Sequence, residues 1–309
     1  MTVFGMKKIL LWLIAALALT VFADFAIGFL MEKRISAGPL PGDYESVEHV
    51  LMHSDEELMV LGSSVALNSI NTATLSDSLG ITAFNGGANG QTFPFYLTML
   101  KAMLESNPNV KTVLLGMIEN NLSDTGTGKR YNLLAPYYGH DIADIDANME
   151  GSEPLGGIFL KSNTYRLNNI WFRILLYHFM SAGIKGDNGF VAKDIPSIYP
   201  SLQVYDSEAK PISDERLGQF DDFTRSCRDK RVRLIVFLPP VYSRGVQHPV
   251  VETLRQKSHA DGFELWDDSM LQPFASDSTL FYDNNHLNIN GAHIYTDTII
   301  KRLRNIIIK

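Results

Sequence analysis

The sequence predicts an α/β protein, a parallel sheet covered by helices on both faces, preceded by a transmembrane helix. Three observations carry this. From residue 57 onward, short apolar runs bounded by turn residues alternate with stretches of helical period. Strands that alternate with helices need crossover connections, and these give a parallel sheet with both faces covered. The run VKTVLLGMI (residues 110–118) has few polar positions and no proline, as suits a strand buried on both faces. At the N-terminus, Lys7 and Lys8 precede ILLWLIAALALTVFA, then Asp24, then FAIGFLM ending at Met31. That stretch is long enough to cross roughly 30 Å of hydrocarbon.

The elements follow in order. Residues 1–8 form a short tail and residues 9–31 an uncleaved signal anchor, because the apolar run continues past Ala23. Cleavage of a signal peptide after Ala23 is the alternative, since Val21 and Ala23 suit the −3 and −1 positions. Lys33 and Arg34 balance Lys7 and Lys8, so charge alone does not orient the anchor. The short tail favours a cytoplasmic N-terminus and an extracytoplasmic domain. Residues 32–55 carry Gly and Pro punctuation and read as a linker. The main domain spans 56–309. Within it, residues 57–62 form a first strand, 66–79 a helix, 81–85 a second strand and 93–104 a helix. Residues 110–118, 233–239 and 263–266 are further strands, and 289–307 make the last helix. The region 123–211 is rich in Tyr, Asn, Gly and Asp, with one clear helix at 167–179. It reads as an insertion over the sheet: loop-rich packing, or a lid or acceptor-binding surface.

Composition narrows the function. The chain has 309 residues, a net charge of −7 and no basic stripe, which argues against a nucleic-acid partner. With a single cysteine, intrachain disulfides and cysteine-based metal sites are excluded. Cys227 recurs with Leu217, Phe220 and Phe223 on one helix face and reads as a core residue. No second His or carboxylate stands at ligand spacing near His286, so no metal is expected; His293 reads as a solvated helix residue.

Reactive groups in open parallel sheets gather at the carboxyl ends of the strands. The first strand ends in LGSS, which puts Ser63 and Ser64 in the turn before a helix. A serine there is a helix cap, or a nucleophile beside free backbone N–H groups. The second strand ends in NGGANGQT (residues 85–92), whose glycines allow a backbone N–H to approach a ligand oxygen. The third ends in IENNL, where Asn120 or Asn121 could offer an amide. Of the eight histidines only His286 has an Asp three residues before it, Asp283, in the turn before the last helix.

In that order, Ser, Gly-rich turn, Asn and Asp-x-x-His, the chain resembles the SGNH hydrolases, the GDSL-type esterases. The resemblance covers residues 58–309 less the insertion. It implies a three-layer α/β sandwich like flavodoxin, with a five-stranded parallel sheet. The family's GDS block corresponds to GSS, which makes Ser64 the nucleophile. Its N-x-x-x-x-G block matches Asn85 through Gly90, so Gly90 offers a backbone N–H. The G-x-N-D block is kept only at Asn120, with Ile118 and Asn121 in place of its Gly and Asp; Asn121 is the alternative donor. The last block matches Asp283 and His286. The resemblance thus implies an oxyanion hole of Ser64, Gly90 and Asn120, and no cofactor. G-x-S-x-G is absent, which disfavours an ordinary α/β-hydrolase.

Within the family, the GSS and ENN blocks, the anchor and the insertion look like membrane-anchored proteins that O-acylate cell-surface polymers. By that resemblance Ser64 passes an acyl group to a polysaccharide hydroxyl, with a membrane-bound O-acyltransferase as donor partner. An extracytoplasmic carbohydrate or lipid esterase is the close alternative. A non-catalytic scaffold of a polysaccharide-modification complex is the alternative of a different class.

Overall fold

The computed structural model describes residues 3–35, 42–123, 131–151, 155–168, 170–171, 188–205, 211–245 and 249–307. The chain divides into two compact units, one of residues 1–41 with 131–183, the other of residues 42–130 with 184–309.

The larger unit is built on a five-stranded parallel sheet. Its strands are β1 (Leu58–Gly62), β2 (Ala83–Asn85), β3 (Thr112–Gly116), β5 (Arg233–Leu238) and β7 (Glu264–Asp267), in the order β2-β1-β3-β5-β7. Two short strands, β4 (Gln203–Tyr205) and β6 (Ser243–Gly245), pair separately. Successive side chains on a strand point to opposite faces, and here both faces are covered. On one face Leu58, Val60, Leu114, Ile235 and Phe237 share a core with helices α3 (Ser64–Ser69), α4 (Thr72–Leu79) and α11 (Ile289–Ile307). The other face carries α5 (Phe93–Ser106) and α9 (Asp214–Asp229), joined by Phe93, which lies 5.8 Å from both Phe220 and Phe223. Helix α10 (Pro249–Asp261) precedes β7. Cys227 is buried on α9, and burial pushes its thiol up to about 12, so it is a core residue.

Several expectations need correction. The helix expected over 66–79 is two helices, α3 and α4. The first closes at Ile70, and Asn71 caps the second, accepting from Thr74 N at 3.0 Å, while its own N–H donates to Thr296 Oγ1 at 2.9 Å. Residues 43–53, placed in the linker, form α2 (Asp43–Glu48) and a π-helical turn (His49–His53) that bury Tyr44, Val47, Val50 and Leu51.

The smaller unit joins α1 (Val3–Ile35) to residues 131–183, so most of the expected insertion clusters with the N-terminal helix. Helix α1 is long and apolar enough to cross a membrane. The described part of the insertion holds a 3-10 segment (Asn132–Tyr137), α6 (Ile145–Glu150), α7 (Gly156–Phe159) and α8 (Asn163–Arg166). Tyr138 hydroxyl donates to Glu150 Oε1 at 2.6 Å, and Arg166 Nη1 donates to the Tyr138 carbonyl. Most of the helix expected at 167–179 lies outside the described residues.

Candidate active site

The turn between β1 and α3 is shaped by two glycines. Gly62 sits at φ +142°, and a Cβ there would stand 2.4 Å from the Gly116 carbonyl oxygen. On the paired strand, a Cβ at Gly116 would stand 2.7 Å from both Ala66 Cβ and Phe237 Cζ. Without side chains at these two positions, α3 packs directly on the ends of β1 and β3. Ser63 takes the N-cap position with extended backbone and is buried. Ser64 opens the helix and is half-buried, so of the two serines it is the accessible one.

Asn85, at the end of β2, holds α3 from below. Its Nδ2 donates to the carbonyls of Ala66 and Ile70, each at 3.0 Å, and its Oδ1 accepts from Gly87 N at 3.0 Å. The side chain is fully buried, so these bonds satisfy groups that water cannot reach. Its role is to place α3, a role that spacing in the sequence does not reveal.

A second clamp holds the turn that carries His286. Asn288, also fully buried, donates to the Thr279 carbonyl at 2.8 Å and accepts from Gly291 N at 3.1 Å, tying the turn to the start of α11. Asn284 donates to the carbonyls of Ser201 and Tyr242 at 2.8 and 2.9 Å. The backbone of Tyr282 donates to His286 O at 2.8 Å and closes the loop.

These supports bring Ser64 against the turn that carries Asp283 and His286. Ser64 Oγ lies 2.7 Å from His286 Nε2, and His286 Nδ1 lies 2.9 Å from both carboxylate oxygens of Asp283. Asp283 Oδ1 also accepts from the backbone N–H groups of Asn285 and His286, each at 2.9 Å. Partial burial pushes the Asp283 carboxyl up. The hydrogen bond from His286 and the backbone N–H groups of Asn285 and His286 outweigh that and hold it below the usual carboxylate value. An ionised carboxylate only accepts, so Nδ1 carries the proton and Nε2 of the neutral ring presents its lone pair to the Ser64 hydroxyl. A serine so placed can be deprotonated as it attacks an electrophile.

Gly90 lies in an exposed turn at φ +65°. That turn is pinned by Asp43, whose carboxylate accepts from the backbone and side-chain amides of Asn89 at 3.0–3.1 Å. Asp43 was not recognised from sequence. The signal was there in the 3–4 spacing of Tyr44, Val47, Val50 and Leu51 behind it. Asn120 and Asn121 share a 3-10 turn (Glu119–Leu122). Asn121 Oδ1 accepts from Ile118 N at 2.7 Å, which fixes its amide on the turn and leaves Nδ2 as a donor, and Asn120 is exposed.

No family model matches the chain, and no curated protein does. Solved structures similar to it include a candidate platelet activating factor from Streptococcus pneumonia, at 12% identity and TM-score 0.44, over 93% of this chain and 99% of that one. A candidate acylhydrolase from Bacteroides fragilis NCTC 9343 is similar at 10% identity and TM-score 0.42, over 90% of this chain and 95% of that one. A candidate lipolytic protein of the G-D-S-L family from Desulfitobacterium hafniense DCB-2 is similar at 9% identity and TM-score 0.40, over 79% of this chain and 97% of that one.

Proposed function

We propose that the protein is a serine-dependent acyl-transfer enzyme of the SGNH (GDSL) type that moves an acyl group onto a hydroxyl of a cell-surface or exported polysaccharide. The observation that carries this reading is the 2.7 Å contact of Ser64 Oγ with His286 Nε2, with Asp283 on the far ring nitrogen.

In this mechanism Ser64 Oγ attacks the carbonyl carbon of an acyl donor while its proton passes to His286 Nε2. Asp283 holds the ring in the receiving tautomer and stabilises the imidazolium. The carbonyl oxygen becomes an oxyanion, which backbone N–H groups of Ser64 and Gly90 and the amide of Asn120 would receive. Collapse of the tetrahedral intermediate breaks the bond to the leaving group, which takes the proton from His286. An acyl-Ser64 ester remains. An acceptor hydroxyl, deprotonated by His286, then attacks it and restores Ser64.

Asn120, exposed on its turn, is taken as the amide donor; Asn121, whose Oδ1 accepts from Ile118 N while its Nδ2 can still donate, is the alternative. The candidate membrane helix supports a location at the cell membrane, and the reading puts the larger unit on the extracytoplasmic side, near a membrane-bound O-acyltransferase as donor. Hydrolysis uses the same acyl-enzyme with water as acceptor, which makes an esterase the second reading.

The test uses the full-length protein in detergent with p-nitrophenyl acetate, with and without an oligosaccharide acceptor. Nitrophenol release that depends on Ser64, with acetate appearing on the sugar, supports transfer. Free acetate at the same rate whether or not sugar is present makes the protein an esterase. Release that persists unchanged in Ser64→Ala removes Ser64 from the mechanism.

A further inference from the structure

Within the smaller unit, α1 changes character at Asp24. Apolar residues from Ile9 to Phe22, Trp12 and Leu19 among them, are exposed on every side of the helix. From Asp24 on, one face turns inward. Gly28 and Met31 are buried, and a Cβ on Gly28 would stand 2.4 Å from Asn163 Cγ. Asp24 accepts from Ser162 Oγ at 2.8 Å, Asn163 N at 2.9 Å and Thr164 N at 2.8 Å. The opposite face stays apolar and exposed through Phe25, Ile27, Phe29 and Leu30.

The length of the helix sets its depth. Residues 9–23 alone rise about 22 Å, short of the roughly 30 Å of a hydrocarbon core, whereas residues 9–31 rise about 33 Å and match it. The stretch of α1 that packs on residues 162–166 is therefore the stretch needed to complete the span. Whatever is bonded to Asp24 lies at that depth too. On either side of Ser162–Thr164 in the chain, Leu155, Ile158, Phe159 and Trp171 are exposed. Leu155 does so at φ +63°, a conformation that a bulky residue rarely adopts.

We propose that residues 155–168 with 170–171 form a membrane-embedded element, seated in the leaflet at the C-terminal end of α1 and locked there by Asp24. Its partner is the lipid boundary itself. The exposed apolar side chains meet acyl chains, and the Asp24 carboxylate is spared from lipid by the three residues that donate to it. The proposal goes beyond the acyl-transfer reading and is independent of it, but rests on α1 being retained as a span.

Tryptophan quenching tests this on the full chain, which has three tryptophans, Trp12, Trp171 and Trp266. Variants keeping only Trp12 or only Trp171, the others replaced by Phe, are reconstituted in phosphatidylcholine vesicles containing brominated lipids. Trp12 reports the span. Trp171 should be quenched as well, at least about twofold more by bromines near the headgroup end of the chain than by those near its terminus, as suits burial of about 5–10 Å. Asp24→Ala in the Trp171-only chain should lower that quenching while the Trp12-only chain stays quenched.

Quenching of Trp12 without Trp171 would overturn the proposal and leave the anchor standing, with this face in water or against another protein. No quenching of either would overturn both. Unchanged quenching of Trp171 in Asp24→Ala would overturn the lock.

Discussion

Ser64 Oγ and His286 Nε2 stand 2.7 Å apart although 222 residues separate them in the chain. One comes from the turn after β1 and the other from the turn before α11, so the contact depends on both turns being held. If Ser64 is the nucleophile, Ser64→Ala should lower kcat by about 10⁴-fold or more, with the fold intact by circular dichroism. Ser63→Ala should leave most of the activity, because Ser63 is buried. Comparable losses in both variants would point to a structural effect on the β1–α3 turn instead.

Asp283 links the site to pH. Its carboxyl is held below the usual value in the fold, despite the upward push of partial burial, by the His286 hydrogen bond and the Asn285 N–H. A depressed carboxylate contributes stability above its unfolded pKa, about 3.9, and that contribution is lost as pH falls through the folded value. Solvent reaches nearly half of the side chain, so screening limits the contribution to no more than about 1 kcal/mol. Urea unfolding should show Asp283→Asn less stable than the parent at pH 7, with the gap closing at pH values below the folded pKa. A gap that is the same at both ends would mean that charge is not its source.

How much of this was legible beforehand differs by element. The runs that became β1, β3 and β5 were readable because strands buried on both faces are apolar throughout. The break between α3 and α4 was not, since the apolar period runs across Asn71, whose N–H is held by a tertiary bond to Thr296 that no local pattern marks. Ser64, Asp283 and His286 could be placed at strand and helix ends from motif order, but not the asparagines that hold them. The three residues that donate to Asp24 lie 138 to 140 residues away, and no periodicity marks such a pairing.

Asn120 and Asn121 should separate cleanly. Asn120→Ala should lower kcat by roughly 10²–10³ with little change in stability, as expected on losing one oxyanion donor. Asn121→Ala leaves Ile118 N without its acceptor, and should cost stability, about 1–3 kcal/mol if water cannot replace it. Steady-state kinetics beside thermal melts would show the split. A rate loss confined to Asn121→Ala would exchange the two roles, and none in either would remove this turn from the oxyanion site.

Asn85→Ala removes donors from the Ala66 and Ile70 carbonyls in a fully buried position. Stability should fall by about 1–3 kcal/mol. Because α3 also carries Ser64, kcat should fall with it, while the variant remains folded at low temperature. Asn85→Asp, which keeps the shape and the acceptor for Gly87 N but loses the donors, should lose stability too. If Asn85→Asp matched the parent, the bond to Gly87 N would be the one that matters.

The last prediction concerns the N-terminus. Helix α1 runs without a break from Val3 to Ile35, through the position after Ala23 where a signal peptide would be cut. Cleavage there would make Asp24 the first residue and would remove the exposed apolar stretch before it, leaving the Ser162–Thr164 donors to bind a new chain terminus. An unpartnered acid at the centre of a bilayer costs roughly 2.5–3.5 kcal/mol on insertion scales, so a lone Asp24 would be poorly suited to a retained span. Its carboxylate instead receives four hydrogen bonds from Ser162, Asn163 and Thr164 within the same unit, which makes the uncut helix compatible with the charge. The mature protein should therefore keep its N-terminal residues and stay with membranes through a carbonate or high-salt wash. N-terminal sequencing that starts at Asp24, together with release into the soluble fraction, would make the segment a cleaved signal peptide and end the anchor reading.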